Sequence, residues 1–336
     1  MSARMSPAAA EHLAATALTG AGAREGAARE TARSLVLAER DGLSSHGLAR
    51  VPYYAAQIAS GKIAGAASPE VSVDGAALRV DAGHGLSFPA VAAGLEAGVP
   101  VARSLGIAAI SITRSHHFGV AGQPVERLAD QGLIGLAMSN TPAAIAPWGG
   151  KRAIYGTNPV AFACPRAGCA PLVIDLSLSE VARGKIMLAE KDGRAIPEGW
   201  AFDAEGRATT DAAAAMDGSM APAGGAKGAA LALMVELLAA GLAGASFGHE
   251  AGSMFAAEGP PPGLGHLILA IDPARFGGDF TGRAEALFTA IEAQEGARLP
   301  GARRLAARDA SAEALDIPQP LADELARLAG HAPAES

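Results

Sequence analysis

The amino-acid sequence predicts an α/β protein whose sheet is covered by helices on both faces. Short apolar runs typical of buried strands alternate with helical segments, as in the order Ile107–Ile112, 120–131 and Leu133–Met138. Half of the residues are hydrophobic but only 4% are aromatic, and 42 of the 336 residues are Gly. We therefore expect a core of Ala, Val, Leu and Ile in which backbones approach one another closely.

The first hundred residues are predicted to be mainly helical. Hydrophobic periodicity indicates four helices, at 7–20, 25–40, 48–60 and 88–104. A polar turn, Ser44-Ser45-His46-Gly47, precedes the third of them. A hairpin is predicted between Val71 and Val80, because Asp74-Gly75 is a strong turn signal.

Strands and helices alternate along the rest of the chain. The predicted strands are Ile107–Ile112, Leu133–Met138, Val160–Cys164, Leu172–Ile174 and Leu267–Ile271, and the predicted helices are 120–131, 228–243, 280–296 and 318–329. We expect residues 76–279 to form an α/β core that binds cofactor and substrate. Residues 1–75 and 280–336 are expected to form a helical portion that is intertwined with this core into one unit.

Charge and composition exclude several classes of partner. The net charge is −7, which argues against a nucleic acid or an anionic membrane. Cys164 and Cys169 lack further ligands at a spacing suited to zinc, so we expect no metal site and two reduced thiols. The N-terminus has no recognisable signal peptide, and Glu236 interrupts the longest apolar run, Gly228–Ala245. The sequence therefore predicts a cytoplasmic protein.

The common nucleotide-binding motifs are missing. In Gly83-His84-Gly85-Leu86-Ser87-Phe88, Phe88 stands where a dinucleotide fingerprint needs its third Gly. The segment Gly224–Gly228 has Lys227, but it lacks the earlier Gly and the following Ser or Thr of a P-loop. A nucleotide would therefore have to bind without the usual fold for that task.

Three segments nevertheless indicate a polyanionic ligand. Ser177 and Glu180 have the spacing of a capping box, which predicts a helix N-terminus directly after a strand. Lys227 opens the helix at 228–243, and the segment from Arg298 to Arg304 is a basic turn. Each segment has an alternative interpretation. The first can be an ordinary capped helix, the second a flexible connection with a solvated Lys, and the third a solvated loop.

Histidines in two polar turns are candidates for proton transfer. Ser45-His46 is followed four residues later by Arg50, so a hydroxyl, a general acid and a carboxylate-binding guanidinium could share one face. His116 and His117 follow a predicted strand, at the position where open α/β sheets place function. Structural or solvated histidines are the alternative, which the Gly, Ser and Arg neighbours of both turns disfavour. We do not expect the adjacent pair to bind a metal, because their side chains diverge.

An ordered set of motifs resembles those of the type-2 malate/L-lactate dehydrogenases. The motifs are Asp41–Tyr54 (DGLSSHGLARVPYY), Ser115–Gly119 (SHHFG), Pro147–Gly150 (PWGG), Tyr155–Ala163 (YGTNPVAFA), Ile174–Ser177 (IDLS), Ala182–Lys185 (ARGK), Gly225–Gly228 (GAKG) and Leu299–Gly301 (LPG). The resemblance extends over residues 5–330. It implies a non-Rossmann mixed sheet flanked by helices, of the sulfolactate dehydrogenase-like kind, and a homodimer.

The resemblance also implies roles for individual residues. His117 is the expected proton donor or acceptor, and Ser45 and His46 match a second catalytic pair. The residues expected to bind substrate are Arg50, Thr157, Arg183, Gly184 and Lys185. Those expected to bind the cofactor are His117, Phe118, Gly119, Val120, Ala121, Thr141, Asp175, Leu176, Ser177, Lys227, Pro300, Gly301, Ala302, Arg303 and Arg304. We expect NAD or NADP, and the two arginines favour NADP.

The expected function is the NAD(P)-dependent interconversion of a small 2-hydroxy acid and its 2-oxo acid. The substrate would be malate-, lactate- or sulfolactate-like, with Arg50 on its carboxylate and Arg183 on a second anionic group. Similar imino-acid reductases carry Asp where this chain has Lys185, so reduction of Δ1-piperidine-2-carboxylate or Δ1-pyrroline-2-carboxylate is the alternative. A nucleotide-binding protein without turnover is the third hypothesis, and the two histidine turns argue against it.

Overall fold

Twelve β-strands and eleven α-helices lie within residues 2–330, the part of the chain that the computed structural model describes. The strands are β1 (Ser2–Met5), β2 (Glu70–Asp74), β3 (Ala77–Asp81), β4 (Ile107–Ser115), β5 (Ile134–Ser139), β6 (Val160–Cys164), β7 (Leu172–Leu176), β8 (Ala201–Phe202), β9 (Ala208–Thr209), β10 (Ser219–Met220), β11 (Leu264–Ile271) and β12 (Leu315–Pro318). The helices are α1 (Pro7–Gly20), α2 (Glu25–Arg40), α3 (Val51–Ala59), α4 (Ser87–Leu105), α5 (Gly122–Ala129), α6 (Arg183–Lys191), α7 (Ala212–Asp217), α8 (Ala226–Val235), α9 (Phe280–Glu292), α10 (Ala302–Ala310) and α11 (Gln319–Leu328). A π-helical turn, Glu236–Gly241, continues α8.

Seven strands form a central mixed sheet in the order β2-β3-β4-β11-β5-β6-β7. Within this sheet β3 and β4 run parallel, whereas the other five neighbouring pairs are antiparallel. A doubly wound dinucleotide fold needs a run of parallel strands connected by helices. The mixed sheet therefore confirms the predicted non-Rossmann class.

Helices cover both faces of this sheet, as predicted. Successive residues of a strand point to opposite faces, and Ala137 belongs to the core beneath α4 and α5 while Met138 packs with α8 and the π-helical turn. The approach of α4 is so close that a Cβ at Gly98 would lie 2.6 Å from Cδ1 of Ile110. This contact explains part of the glycine content, because any side chain at position 98 would push the helix off the sheet.

The N-terminal helices form a second core. Apolar side chains of α1, α2, α3 and α11, among them Leu18, Leu35, Tyr54 and Leu325, pack together with Ile317 of β12, which pairs with β1. Helix α9 packs on the central sheet instead, where Phe288 meets Cys164 and Leu172. The division into a helical portion and an α/β core stays a prediction.

The predicted long elements are present, with ends shifted by a few residues. The third helix is shorter than 48–60, because two 3₁₀ turns occupy 44–50 before α3 begins at Val51. The very short strands β8, β9 and β10, the edge pair of β1 and β12, and helices α7 and α10 were not anticipated, and α6 begins at Arg183 instead of directly after Ser177. Strands of two to four residues are too short to show a hydrophobic period.

Two local predictions were wrong. Ser177 and Glu180 do not cap a helix: the next helix, α6, begins at Arg183 after Ala182, and the Ser177 hydroxyl hydrogen-bonds with the Ser179 hydroxyl at 2.7 Å. The basic turn at 298–304 was also misplaced in part, since Arg303 and Arg304 lie inside α10.

The two cysteines are free thiols, as predicted, with Cys164 buried and Cys169 exposed. Burial raises the pKa of the Cys164 thiol to about 11. In residues 2–330 no helix combines the length and the apolar character that crossing a bilayer requires.

Candidate active site

The segment 44–50 brings three predicted site residues together. Two 3₁₀ turns bend the chain so that the Ser45 hydroxyl lies 3.0 Å from Nδ1 of His46, and Nε of Arg50 donates to the Ser45 carbonyl oxygen at 2.7 Å. The Glu39 carboxylate on α2 accepts the backbone N–H of Leu48 at 3.0 Å and anchors the turns. The predicted grouping is therefore present, but turns rather than one helix face create it.

His117 joins this group from the end of β4. Its ring lies 5.3 Å from the ring of His46, centroid to centroid, and its Nδ1 is 2.6 Å from the Tyr54 hydroxyl. Tyr54 and His117 are both buried. The two histidine turns, 70 residues apart in sequence, thus meet at one place.

Burial sets the protonation of these groups. It lowers the pKa of His117 well below its usual range, and the positive charge of Arg50 lowers it further. The same two causes, in the same order, lower the pKa of His46 to about 4. Burial also raises the pKa of the Tyr54 phenol, which therefore keeps its proton. Both imidazoles are neutral at pH 7, so His117 can accept a proton there.

His116 hydrogen-bonds with a different side chain, the amide of Gln57. Its Nε2 donates to Oε1 of Gln57 at 2.7 Å, and burial lowers its pKa to about 3. The amide nitrogen of Gln57 donates to the carbonyl oxygens of Met254 and Ala256 at 3.0 and 3.1 Å. Gln57 thus joins β4 to the loop 253–258.

That loop covers one side of Arg50. The Phe255 ring lies 5.0 Å from the guanidinium carbon of Arg50, a cation–π contact. The Lys62 ammonium holds the loop by donating to the carbonyl oxygens of Ala256 and Glu258 at 2.9 and 3.1 Å. Because Phe255 covers one face of Arg50 and the Ser45 carbonyl uses Nε, the terminal N–H groups are left to bind a carboxylate.

Thr141 and Thr157 lie in contact. The backbone N–H of Thr157 donates to Oγ1 of Thr141 at 2.9 Å, and their hydroxyl oxygens are 3.4 Å apart. Two backbone hydrogen bonds connect Thr157 to the chain just before α8. The N–H of Leu178 donates to the Thr157 carbonyl oxygen, and the Leu178 carbonyl oxygen accepts the N–H of Ala223. Lys227 is exposed in the first turn of α8.

A third group forms where β7, α5 and α10 meet. The Asp175 carboxylate accepts the N–H of Gly122 at 2.7 Å, and its partial removal from water raises its pKa. Gly301 opens α10 with φ +88°, and a Cβ there would lie 3.2 Å from the Val173 carbonyl oxygen. The Pro300–Gly301 turn therefore lies directly against β7.

The two arginines of α10 differ in their surroundings. Nη1 of Arg304 pairs with Glu126 at 2.8 Å, whereas its Nε and Nη2 are buried without a hydrogen-bond partner in the described part of the chain. Arg303 is exposed. Ala302 is also exposed, as is Leu176 at the end of β7. Phe118 stacks on His266 at 4.4 Å, and the predicted positions Gly119, Val120 and Ala121 connect it to α5.

Arg183, Gly184 and Lys185 form the first turn of α6. Arg183 lines a cavity of about 40 Å³ with Ala143, Ala144 and Ser219. The Ser219 hydroxyl is buried without a hydrogen-bond partner among residues 2–330. Burial lowers the pKa of Arg183, and no acidic side chain within residues 2–330 offsets this shift. Lys185 is exposed, with its ammonium 5.9 Å from the centre of the Trp200 ring.

Four residues near these groups were not anticipated from the sequence: Tyr54, Gln57, Phe255 and Ser219. The sequence did contain a signal for Tyr54, because it follows Arg50 by one helical turn within the motif Asp41–Tyr54. Phe255 and Ser219 lie in segments without periodicity, so the sequence alone held no signal for them.

Comparison with known proteins identifies similar chains along the whole length. A sequence model described as malate/L-lactate dehydrogenase matches residues 5–326. The (2R)-3-sulfolactate dehydrogenase (NADP(+)) of Chromohalobacter salexigens is 60% identical over 316 residues, which cover 94% of this chain and 95% of that protein.

Two solved structures share the fold. The Δ1-piperideine-2-carboxylate reductase of Pseudomonas syringae has a TM-score of 0.92 at 37% identity, with 97% of this chain and 99% of that chain covered. The sulfolactate dehydrogenase of Methanocaldococcus jannaschii has a TM-score of 0.90 at 30% identity, with 98% of both chains covered.

Proposed function

The chain belongs to the malate/L-lactate dehydrogenase family, and from this we propose that it is an NADP-dependent oxidoreductase of a small 2-hydroxy acid. It interconverts that acid and its 2-oxo acid, and the preferred substrate carries a second acidic group, as 3-sulfolactate and malate do. The observation that carries the proposal is the meeting of His117, His46 and Arg50 at one place, with Tyr54 bonded to His117.

His117 is the proposed site of proton transfer. In its protonated form Nδ1 donates to the Tyr54 oxygen, so Nε2 is the atom that exchanges a proton with the substrate oxygen. In the neutral form the same Nδ1–H bond leaves the Nε2 lone pair free to act as a base. His46 and Ser45 lie beside this ring and are proposed to orient the substrate oxygen.

Arg50 and Thr157 are proposed to bind the carboxylate next to the reacting carbon. Arg50 is supported in this role by its terminal N–H groups, since its Nε and one face are already occupied by Ser45 and Phe255. An arginine fixed in this way loses little freedom on binding, so it can orient the acid as well as attract it.

The cofactor is proposed to bind along the sheet edge where β7, α5 and α10 meet. The residues fit a dinucleotide, because two buried nitrogens of Arg304, Nε and Nη2, lack a protein partner among residues 2–330 and the Gly301 turn presents backbone without a side chain. When bound, the nicotinamide supplies or accepts the hydride. Arg303 and Arg304 are proposed to hold the phosphate that distinguishes NADP, in keeping with the cofactor named for the C. salexigens relative.

The second acidic group of the substrate is proposed to bind between Arg183 and Ser219. Both side chains line the same small cavity, and neither has a charged or hydrogen-bonding partner that would satisfy it within residues 2–330. A sulfonate or carboxylate would supply both partners at once. This pairing favours sulfolactate- or malate-like acids over lactate.

Steady-state kinetics of Arg183→Ala tests this function. With NADPH we expect the wild type to reduce 3-sulfopyruvate and oxaloacetate faster than pyruvate. The variant should lose about 10- to 100-fold in kcat/KM on the first two and little on pyruvate, since a hydrogen bond to a charged group contributes about 1.5–3 kcal/mol. Arg194→Ala, which removes an exposed arginine paired with Asp192 near the end of α6, is the matched control. An equal loss on all three acids would contradict the assignment of Arg183.

The alternative function is reduction of a cyclic 2-imino acid, supported by the likeness to the P. syringae reductase. Δ1-piperideine-2-carboxylate belongs in the same panel, and preferred turnover of it would replace the hydroxy-acid assignment. Cofactor binding without oxidation of NADPH by any acid would favour a nucleotide-binding protein without turnover.

A homodimer is proposed from an exposed apolar stretch on α8 and the turn that follows. Leu231, Leu233, Leu237 and Leu242 are 42–64% exposed, and exposed apolar patches are typical of interaction surfaces. Sedimentation velocity tests it, with a monomer as the contrary result. The cytoplasmic location stays a prediction that cell fractionation can check.

A further inference from the structure

A buried carboxylate lies behind the two threonines and takes no part in the proposed chemistry. Glu236 is 3% exposed and is the first residue of the π-helical turn. Its oxygens accept three neutral N–H groups: the Asn140 amide at 3.1 Å, the Asn158 amide at 2.7 Å and the backbone N–H of Gly248. A buried charge is held in place by such donors only when all of them are correctly arranged.

Each of the two asparagines directly adjoins one of the threonines in sequence. Asn140 precedes Thr141 and also binds β11, where its Oδ1 accepts the N–H of Gly265 at 2.9 Å. Asn158 follows Thr157, and its Oδ1 accepts the N–H of Thr141 at 3.3 Å. Glu236 therefore connects to both threonines through one residue each.

The backbone between these groups has little freedom. Asn158 adopts φ +39°, a left-handed conformation that Asn and Asp tolerate better than most residues. A Cβ at Gly156 would lie 2.6 Å from Oδ1 of Asn158, so only Gly fits beside that amide. The Asn158 amide thus sets the path of the chain through Thr157.

We propose that Glu236 is a positioning residue: its carboxylate orients Asn140 and Asn158 and thereby holds Thr141 and Thr157 in place. The inference rests on the proposed function, in which Thr157 contacts substrate, and on the expectation from the sequence that Thr141 contacts the cofactor. π-Helical turns often occur at functional sites, and here the turn places one carboxylate between two strand ends.

The charge state of this residue is essential to the arrangement, because the carboxylate faces only donors. In Glu236→Gln one oxygen becomes an NH₂ group. Its remaining oxygen can still accept from Gly248 and Asn140, so the new NH₂ points at the NH₂ of Asn158. Two donors then oppose each other, and Asn158 has to move or rotate.

The first measurement is kinetic. We expect Glu236→Gln to raise the KM for both NADPH and the oxo acid and to lower kcat, with a combined loss of about 10- to 100-fold in kcat/KM, the scale of a small misplacement of bound groups. Glu285→Gln is the matched control: it makes the same chemical change at the Arg166 ion pair on α9. The control should shift the melting temperature without altering the kinetic constants.

A double variant separates positioning from folding. In Glu236→Gln/Asn158→Asp the new NH₂ group meets an acceptor, and Asp tolerates the left-handed backbone of residue 158. The Ala232 carbonyl keeps its helical bond from the backbone N–H of residue 236, but the new Asp oxygen replaces the amide nitrogen that donates to it at 2.9 Å, so two acceptors then face each other. We therefore expect the double variant to regain part of the lost kcat/KM, about threefold or more relative to Glu236→Gln.

Hydrogen exchange tests the same idea without substrate or cofactor. Peptides covering 139–158 should exchange faster in Glu236→Gln while the melting temperature stays within a few degrees of the wild type. If wild-type protein turned over no acid, the proposed function would fail, yet this local change in exchange would still support the positioning role. Unchanged exchange in 139–158, or wild-type kinetic constants in the single variant, would overturn the inference.

Discussion

Among single residues, Tyr54 most directly affects the proposed proton transfer. It contacts His117 at 2.6 Å, within a pocket where burial disfavours charge on the imidazole. The tyrosine oxygen is the group that can stabilise the protonated ring, because it accepts from Nδ1 in that state. We therefore expect Tyr54 to act through His117.

Tyr54→Phe should lower kcat about 10- to 100-fold and leave the KM of the acid nearly unchanged, since the carboxylate contacts of Arg50 remain. The pH profile of kcat/KM for reduction provides a readout that packing alone would not alter. The apparent pKa in this profile should be lower in the variant than in the wild type, because protonated His117 loses a hydrogen-bond acceptor. Tyr53→Phe, one position earlier and more exposed, is the control. A wild-type profile in Tyr54→Phe would show that the hydroxyl does not act on His117.

At the level of elements, the loop 253–258 and helix α3 act as a pair. Gln57, Ser60 and Lys62 all donate to carbonyl oxygens of this loop, so three side chains near one helix end hold it. The loop in turn keeps Phe255 over Arg50. The geometry of the proposed carboxylate site thus depends on backbone carbonyls that are distant in sequence.

Lys62→Met keeps the length of the side chain but removes the donor to Ala256 and Glu258. We expect the loop to loosen and the KM for the oxo acid to rise about 3- to 10-fold, with kcat changed less than twofold. In the loosened loop Phe255 no longer holds the Arg50 guanidinium in place before substrate binds. Arg50 keeps its charge, so substrate binding weakens more than turnover does. Lys191→Met, at the end of α6, is the matched control. An unchanged KM in folded Lys62→Met would show that the loop does not order Arg50.

Sequence patterns identified the elements that are long and periodic. The paired helices at 7–20 and 25–40 and the hairpin around Asp74-Gly75 match α1, α2, β2 and β3, because local periodicity and turn chemistry decide them. Elements decided by distant contacts could not be found in this way. Strand β1 exists because it pairs with β12, more than 300 residues later.

The candidate site was predictable to a similar extent. His46, Arg50 and His117 lie in polar turns that the sequence marks, and the structure brings them together. Phe255 and Ser219 matter only through partners brought near by the fold, so neither their type nor their spacing distinguished them. Glu236 was visible as the charge that interrupts the apolar run Gly228–Ala245, but the partners that give it a role were not. The capping box failed because Ser177 found a hydroxyl partner, Ser179, instead of a helix N-terminus.

For the whole molecule, buried histidines couple folding to pH. Burial lowers the pKa of His46 to about 4, of His116 and His266 to about 3, and of His117 well below its usual range. The unfolded chain binds protons at these positions near pH 6.5, whereas the folded protein does not. Stability is therefore present above that pH and is lost as the pH falls.

Calorimetry between pH 7.5 and 5 should show a steep fall in melting temperature. Each such histidine lowers the free energy of unfolding by about 1.4 kcal/mol per pH unit below pH 6.5. His266→Gln should reduce the slope of the free energy of unfolding against pH by the contribution of about one bound proton. His12→Gln, at an exposed site on α1, should leave that slope unchanged. A melting temperature that is flat down to pH 5 would contradict the neutral burial of these rings.

The position of β11 has a consequence for how the chain is assembled. This strand lies between β4 and β5 and pairs with both, yet it is made about 125 residues after β5. Until Leu264–Ile271 leaves the ribosome, the β2-β3-β4 and β5-β6-β7 sheets each present an unpaired edge. Such edges are sites for pairing between nascent chains, and their late closure gives the fold a high contact order and slow folding. Completion of the central sheet is therefore one of the last steps of synthesis, and a chain that ends before residue 264 has two half-sheets with nothing to join them.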